Sequence, residues 1–149
     1  MTDLLAVDFA LVCDEVRRED NAKLIFLGVF GRDIGVNQLP ATISLTLVVF
    51  VDARILGETD IEVEAFAGEA SINKARGHIA IHAAGKNVFS IPGLLFPGLQ
   101  NACDLHFTWR ELPNGKPRTI LTVPFVGVRG RANGDGPSTH SSQSPPGAS

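Results

Sequence analysis

Two apolar runs separated by a short, densely charged connector constrain this chain more than any other feature. The connector is Asp14-Glu15-Val16-Arg17-Arg18-Glu19-Asp20-Asn21-Ala22-Lys23. Before it, Leu5, Val7, Phe9, Leu11 and Cys13 recur with period two, and Asp8 and Asp14 take the opposite face. That alternation describes a half-buried strand. After it, residues 23–30 run apolar without alternation, as in a central strand covered on both faces, and Gly31-Arg32-Asp33 breaks the run. The connector is too short and too charged for a packed helix, so the segment reads as strand, solvated reversal, strand.

The same grammar continues. After Pro40, Ile43, Leu45, Leu47, Val49 and Val51 share one face of a long strand, and Ser44, Thr46 and Asp52 share the other. Val48 and Phe50 interrupt the polarity of that outer face, which calls for a second layer or a partner to cover them. Ile61, Val63, Ala65 and Ala67 alternate with Glu62 and Glu64, and Ile79 and Ile81 alternate with His78, Ala80 and His82. A turn at Gly85-Lys86-Asn87 leads into apolar residues 88–91. Residues 92–99, with Leu94, Leu95, Phe96 and Leu99 between two Pro-Gly steps, read as an apolar loop or broken strand. Leu105, Phe107 and Trp109 alternate with Asp104, His106, Thr108 and Arg110. Asn114-Gly115 suits the positive φ of a hairpin turn. The returning strand carries Leu121, Val123 and Phe125, and Pro124 places it at an edge or a bulge, because proline donates no ladder hydrogen bond.

Seven or eight strands with frequent Gly and Pro punctuation, and no useful amphipathic helix, predict an all-β antiparallel sandwich, with a barrel as the alternative. At 149 residues the chain is one domain over 1–131, followed at 132–149 by a Gly-, Ser- and Pro-rich tail with little to bury, expected to be disordered. Residues 1–75 hold 13 acidic and 6 basic side chains, and 76–149 hold 3 acidic and 7 basic. Either strands from the two halves pair and neutralise each other, or the surface is bipolar and favours head-to-tail contacts. No stretch is long and apolar enough to span a bilayer, and the acidic start lacks the features of a signal peptide, so a cytoplasmic location is expected. Cys13 and Cys103 are expected to be buried thiols rather than a bridge.

The segment from Cys13-Asp14-Glu15-Val16 through Glu19-Asp20-Asn21-Ala22-Lys23-Leu24 to Leu27-Gly28-Val29-Phe30 resembles the opening of a family of short, uncharacterised bacterial proteins. The family shares a Cys-Asp-x-Val-x-x-Glu-Asp-x-x-Lys-Leu connector between two apolar strands. Leu39-Pro40 and residues 94–128 are similar to later parts of the same family, so the resemblance covers residues 4–128. Where the family has an aromatic or Tyr near the start of the penultimate strand, this chain has Leu105-His106-Phe107 and no Tyr. The resemblance implies a sandwich fold and a domain of unknown function. It implies no catalytic residues.

The chemistry the residues allow is sparse. Asp14, Glu15, Glu19 and Asp20 cluster carboxylates as calcium-binding loops of C2 sandwiches do. The interleaved Arg17, Arg18 and Lys23 neutralise them, and Asp-x-Asp spacing is absent, which favours a solvated turn. His78 and His82, four apart on a strand, lie about 13 Å from each other, too far to share a metal. Ser71, Ser90 and the histidines match no hydrolase motif, and neither a phosphate loop nor a zinc signature occurs. Arg110, Lys116, Arg118, Arg129 and Arg131 lie near aromatics of a buried face in an acidic chain, which favours a solvated basic edge over a nucleic-acid surface. The expectation is therefore a non-catalytic protein-interaction or assembly module, without cofactor, metal, nucleic-acid or membrane partner. Its partner is another protein or a second copy, met through an edge strand or through Val48, Phe50, Leu94, Leu95, Phe96 and Leu99. The alternatives are a C2-like ligand- or membrane-binding sandwich and a hydrolase with an unrecognised site.

Overall fold

The computed structural model describes residues 4–128, and every regular element among them is a strand. The strands are β1 (Leu5–Cys13), β2 (Glu15–Arg18), β3 (Leu24–Leu27), β4 (Ile34–Val36), β5 (Ala41–Ala53), β6 (Gly57–Ala67), β7 (Ala70–Ile81), β8 (Gly85–Leu99), β9 (Cys103–Leu112) and β10 (Arg118–Val128). A three-stranded sheet in the order β1-β5-β8 packs on a five-stranded sheet in the order β4-β10-β9-β6-β7, and β2-β3 forms a separate hairpin. This is the all-β sandwich the alternation predicts. Every pairing is antiparallel except that of β10 with β4. The tail expected at 132–149 lies outside the described residues.

The core is the sum of the two inner faces. Val12, Leu45, Leu47, Val49, Val51, Leu94 and Phe96 from one sheet meet Ile61, Val63, Leu105, Phe107, Trp109, Val123 and Phe125 from the other. Phe96 and Phe107 lock the layers edge to face, 6.0 Å between ring centroids. The alternation of β9 is as expected, with Leu105, Phe107 and Trp109 all buried. The sheets approach each other along two seams, β1 with β10 and β7 with β8.

Several local expectations are corrected. The structure carries ten strands among the described residues because the charged connector pairs with the apolar residues after it instead of looping out. Residues 24–27 are therefore not a central strand. They form the second arm of the β2-β3 hairpin, with Ile25 exposed, and the chain leaves it at Gly28. In β1 a bulge between Val7 and Phe9 reverses the phase: Val12 turns inward, while Phe9 turns outward.

Residues 92–99 are no loop, since β8 continues through them. Pro92-Gly93 stands opposite Thr46 alone, and Pro97-Gly98 opposite Thr42 alone, so each Pro-Gly step is a bulge. Gly93 and Gly98 take φ of 72° and 60°, which a side chain would resist, and the Gly98 N–H donates to Thr42 Oγ1 at 3.0 Å. β10 is not an edge strand either, because β4 flanks it. β4 is so short that it meets β10 only from Phe125 onward, which leaves Pro124 beside an open flank. The β9-β10 connection is also wider than a two-residue turn. The Gly115 N–H donates to the Glu111 carbonyl at 2.8 Å, and a Cβ on Gly115 would collide with that same oxygen.

Candidate functional site

The hairpin sets what the outer face of the three-stranded sheet shows. Thr46, Val48 and Phe50 point outward from β5, opposite Cys13, Leu11 and Phe9 of β1. The Thr46 hydroxyl donates to the Asp14 carbonyl at 3.4 Å, and Phe26 of β3 meets Phe50 edge to face at 5.9 Å. The hairpin thus lies over this face as a third layer. Val48, expected to await a cover, is buried by the chain itself.

Of the residues expected to form an interaction surface, Val48, Leu94, Phe96 and Leu99 are core and are withdrawn from it. Leu94 and Phe96 face inward because the Pro92-Gly93 bulge resets the phase of β8. Leu95 stays outside at 45% exposure, and Phe50 is half-buried at the margin of the hairpin. The structure supplies Phe50 with companions that alternation had placed elsewhere. Phe9, 54% exposed, stacks on it at 4.2 Å and 14°, and Val88 of β8 stands in register on its other side. Phe9, Phe50, Phe26 and Val88 make an apolar patch on the outer face. At one edge of the patch, Lys86 pairs with Asp8 at 2.8 Å and Asp52 at 3.6 Å, so both signs of charge sit side by side. The hydrogen bond that Lys86 donates to Asp8, assisted by the charge of both carboxylates, raises the Lys86 pKa. Alternation carried no signal for this placement of Phe9, because Asp8 already fell on the solvent face and the bulge between Val7 and Phe9 is set by pairing with β5.

The outer face of the five-stranded sheet is polar and internally paired. Arg110, Glu62 and Arg76 stand in register across β9, β6 and β7. Glu62, only 4% exposed, accepts from Arg76 Nε at 2.8 Å and from Arg110 at 2.9 Å (Nε) and 2.7 Å (Nη2). The bond to Arg76 outweighs burial and, with Arg110, holds the Glu62 carboxyl below the usual carboxylate range. One row on, His78 Nδ1 meets Asp60 Oδ1 at 2.7 Å, with Glu58 at 3.8 Å from Nε2, and this hydrogen bond raises the His78 pKa. These ladders, with the Lys86 pairs, join acids of the first half of the chain to bases of the second. The charge asymmetry is therefore neutralised in part within the fold.

The remaining candidates stay apart. His106 stacks on Phe66 at 4.6 Å. His78 and Ser90 border a common cavity, but among the described residues no hydrogen bond joins them. No group of three or more His, Cys, Asp or Glu among the described residues is arranged to hold a metal ion. In the connector, Arg17 pairs with Glu15 at 3.1 Å, and the Lys23 N–H donates to Asn21 Oδ1 at 3.1 Å, closing the turn between β2 and β3. Both cysteines are free thiols whose pKa values burial raises. Among the described residues no helix is long and apolar enough to cross a membrane. No protein-family model matches the chain, and no curated protein matches it.

Proposed function

We propose that this protein is a non-catalytic assembly module, a cytoplasmic bacterial sandwich of the family its connector resembles, and that it associates with a second copy of itself. The observation that carries this reading is the patch of Phe9, Phe50 and Phe26 on the outer face. It has the anatomy of a contact surface: clustered, partly open aromatics bordered by charge. A second copy is the favoured occupant because the border holds both signs together. A two-fold axis that sets Lys86 of each copy against Asp8 and Asp52 of the other would leave no like-charge pair. The free thiols suit a reducing compartment.

Light scattering after size exclusion on the full chain tests the reading. The expected species has twice the 15.9 kDa of one chain and reverts to a monomer in Phe9→Asp, whose exposed site tolerates the change. A wild-type protein that stays monomeric up to hundreds of micromolar, or a dimer indifferent to Phe9→Asp, overturns it.

A further inference from the structure

A cavity of about 280 Å³ lies where β7 and β8 run side by side without pairing. β7 belongs to one sheet and β8 to the other, so the interior reaches the surface between them. The β2-β3 hairpin supplies the outer wall through Val16, Leu24 and Phe26. Core residues Ile61, Ile79 and Trp109 form the floor, and Arg18, His78 and Ser90 stand exposed at the rim.

The chemistry of this lining is one-sided. The cavity's lining residues are mostly apolar by type, polar and apolar atoms share its surface about equally, and no carboxylate side chain borders it. Arg18 and Trp109 only donate hydrogen bonds, and Ser90 is able to donate. His78 has Nδ1 engaged by Asp60. Arg18 makes no ion pair among the described residues, in contrast to Arg17 beside it. The Trp109 Nε1–H, on a side chain 1% exposed, has no acceptor among the described residues. A buried donor left without an acceptor is costly, and such orphans are rare in folded proteins. The side chains that border the cavity thus bring donors and no carboxylate, beside lining residues that are mostly apolar by type.

We propose that this seam cavity is a binding site for a small apolar carboxylate, with Arg18 recognising the anion and the space over Trp109 taking the hydrocarbon. Its volume lies just below the range of roughly 300–1,000 Å³ usual for drug-sized ligands, which limits the ligand to a short chain or a single ring. The cavity shares Phe26 and Val88 with the aromatic patch, but its test reads Trp109 emission rather than oligomeric state, so failure of one proposal is distinguishable from failure of the other.

Trp109 is the only Trp and the chain has no Tyr, so its fluorescence reports on the cavity alone. The experiment titrates octanoate into the full-length protein, below its micellar range, with octanol as the uncharged control. The expected result is a saturable change in Trp109 emission, with octanol weaker than octanoate by about tenfold. Arg18→Gln, an exposed change, is expected to remove that preference. Gly77→Leu is expected to abolish the response by filling the space, since a Cβ there meets only Ile61, at 3.8 Å. Far-UV circular dichroism confirms that both variants fold. Absence of a saturable response, equal affinity for octanol, or binding unaffected by the two variants overturns the proposal.

Discussion

Glu62 and His78 show how one sheet face holds charge in two opposite regimes of pH. The folded pKa of Glu62 is depressed, so its stabilisation is present above the ordinary value of 4.5 and is lost as pH falls through the folded value. Glu62→Gln removes the carboxylate but keeps the shape. It is expected to cost about 1–2 kcal/mol at pH 7, because the carboxylate charge shared by two guanidinium groups is lost and an amide NH2 faces one of them in place of an oxygen. Urea unfolding of both proteins should show that difference shrinking toward low pH, and a constant difference would mean the pair is not titrating. His78 behaves in the reverse sense. Its folded pKa is raised, so its contribution is complete below 6.5 and disappears as pH rises through the folded value. The melting temperature of His78→Asn should fall further below wild type at pH 6 than at pH 9.

At the scale of elements, β8 depends on its two Pro-Gly bulges. Each places two residues against one of β5, and each glycine sits at positive φ. Gly93→Ala and Gly98→Ala should each destabilise by about 1 kcal/mol, although open space surrounds both positions, because the cost is conformational. Gly31→Ala, also in open space but without positive φ, is the control and should be neutral. Chemical denaturation of the three variants separates backbone strain from crowding. Gly115 differs again: it needs room rather than φ, and alanine there would displace the Glu111 carbonyl from the β9-β10 connection.

For the whole molecule, the hairpin is a third layer whose removal exposes the part of the β5 face that the sandwich itself leaves uncovered. Cys13 is fully buried beneath this cover, while Cys103 is only partly buried. Phe26→Ala deletes the hairpin's aromatic contact with Phe50. It should raise the rate at which Cys13 reacts with a thiol reagent, read by peptide mass mapping, and leave Cys103 unchanged. Equal acceleration at both thiols would indicate global loosening rather than release of the hairpin.

The alternation of Leu105, Phe107 and Trp109 and of Ile61, Val63 and Ala65 was legible because strand faces repeat every two residues and two facing sheets must bury one face each. That physics determined the all-β class and the inner face of most strands, while the pairing of acids of the first half with bases of the second, one of two alternatives in the sequence, was decided by strand register. It did not determine the site. A bulge inserts a single residue and inverts every later side chain, and its position depends on the partner strand, so Phe9 moved outward and Leu94 and Phe96 moved inward only in the assembled sheet. The cover over Val48 was invisible for a related reason. A charged connector looks solvated in one dimension, and folding it back over β5 is favourable only when that apolar face already exists. The seam beside Trp109 arises where consecutive strands join different sheets, a choice made by tertiary packing rather than by either strand.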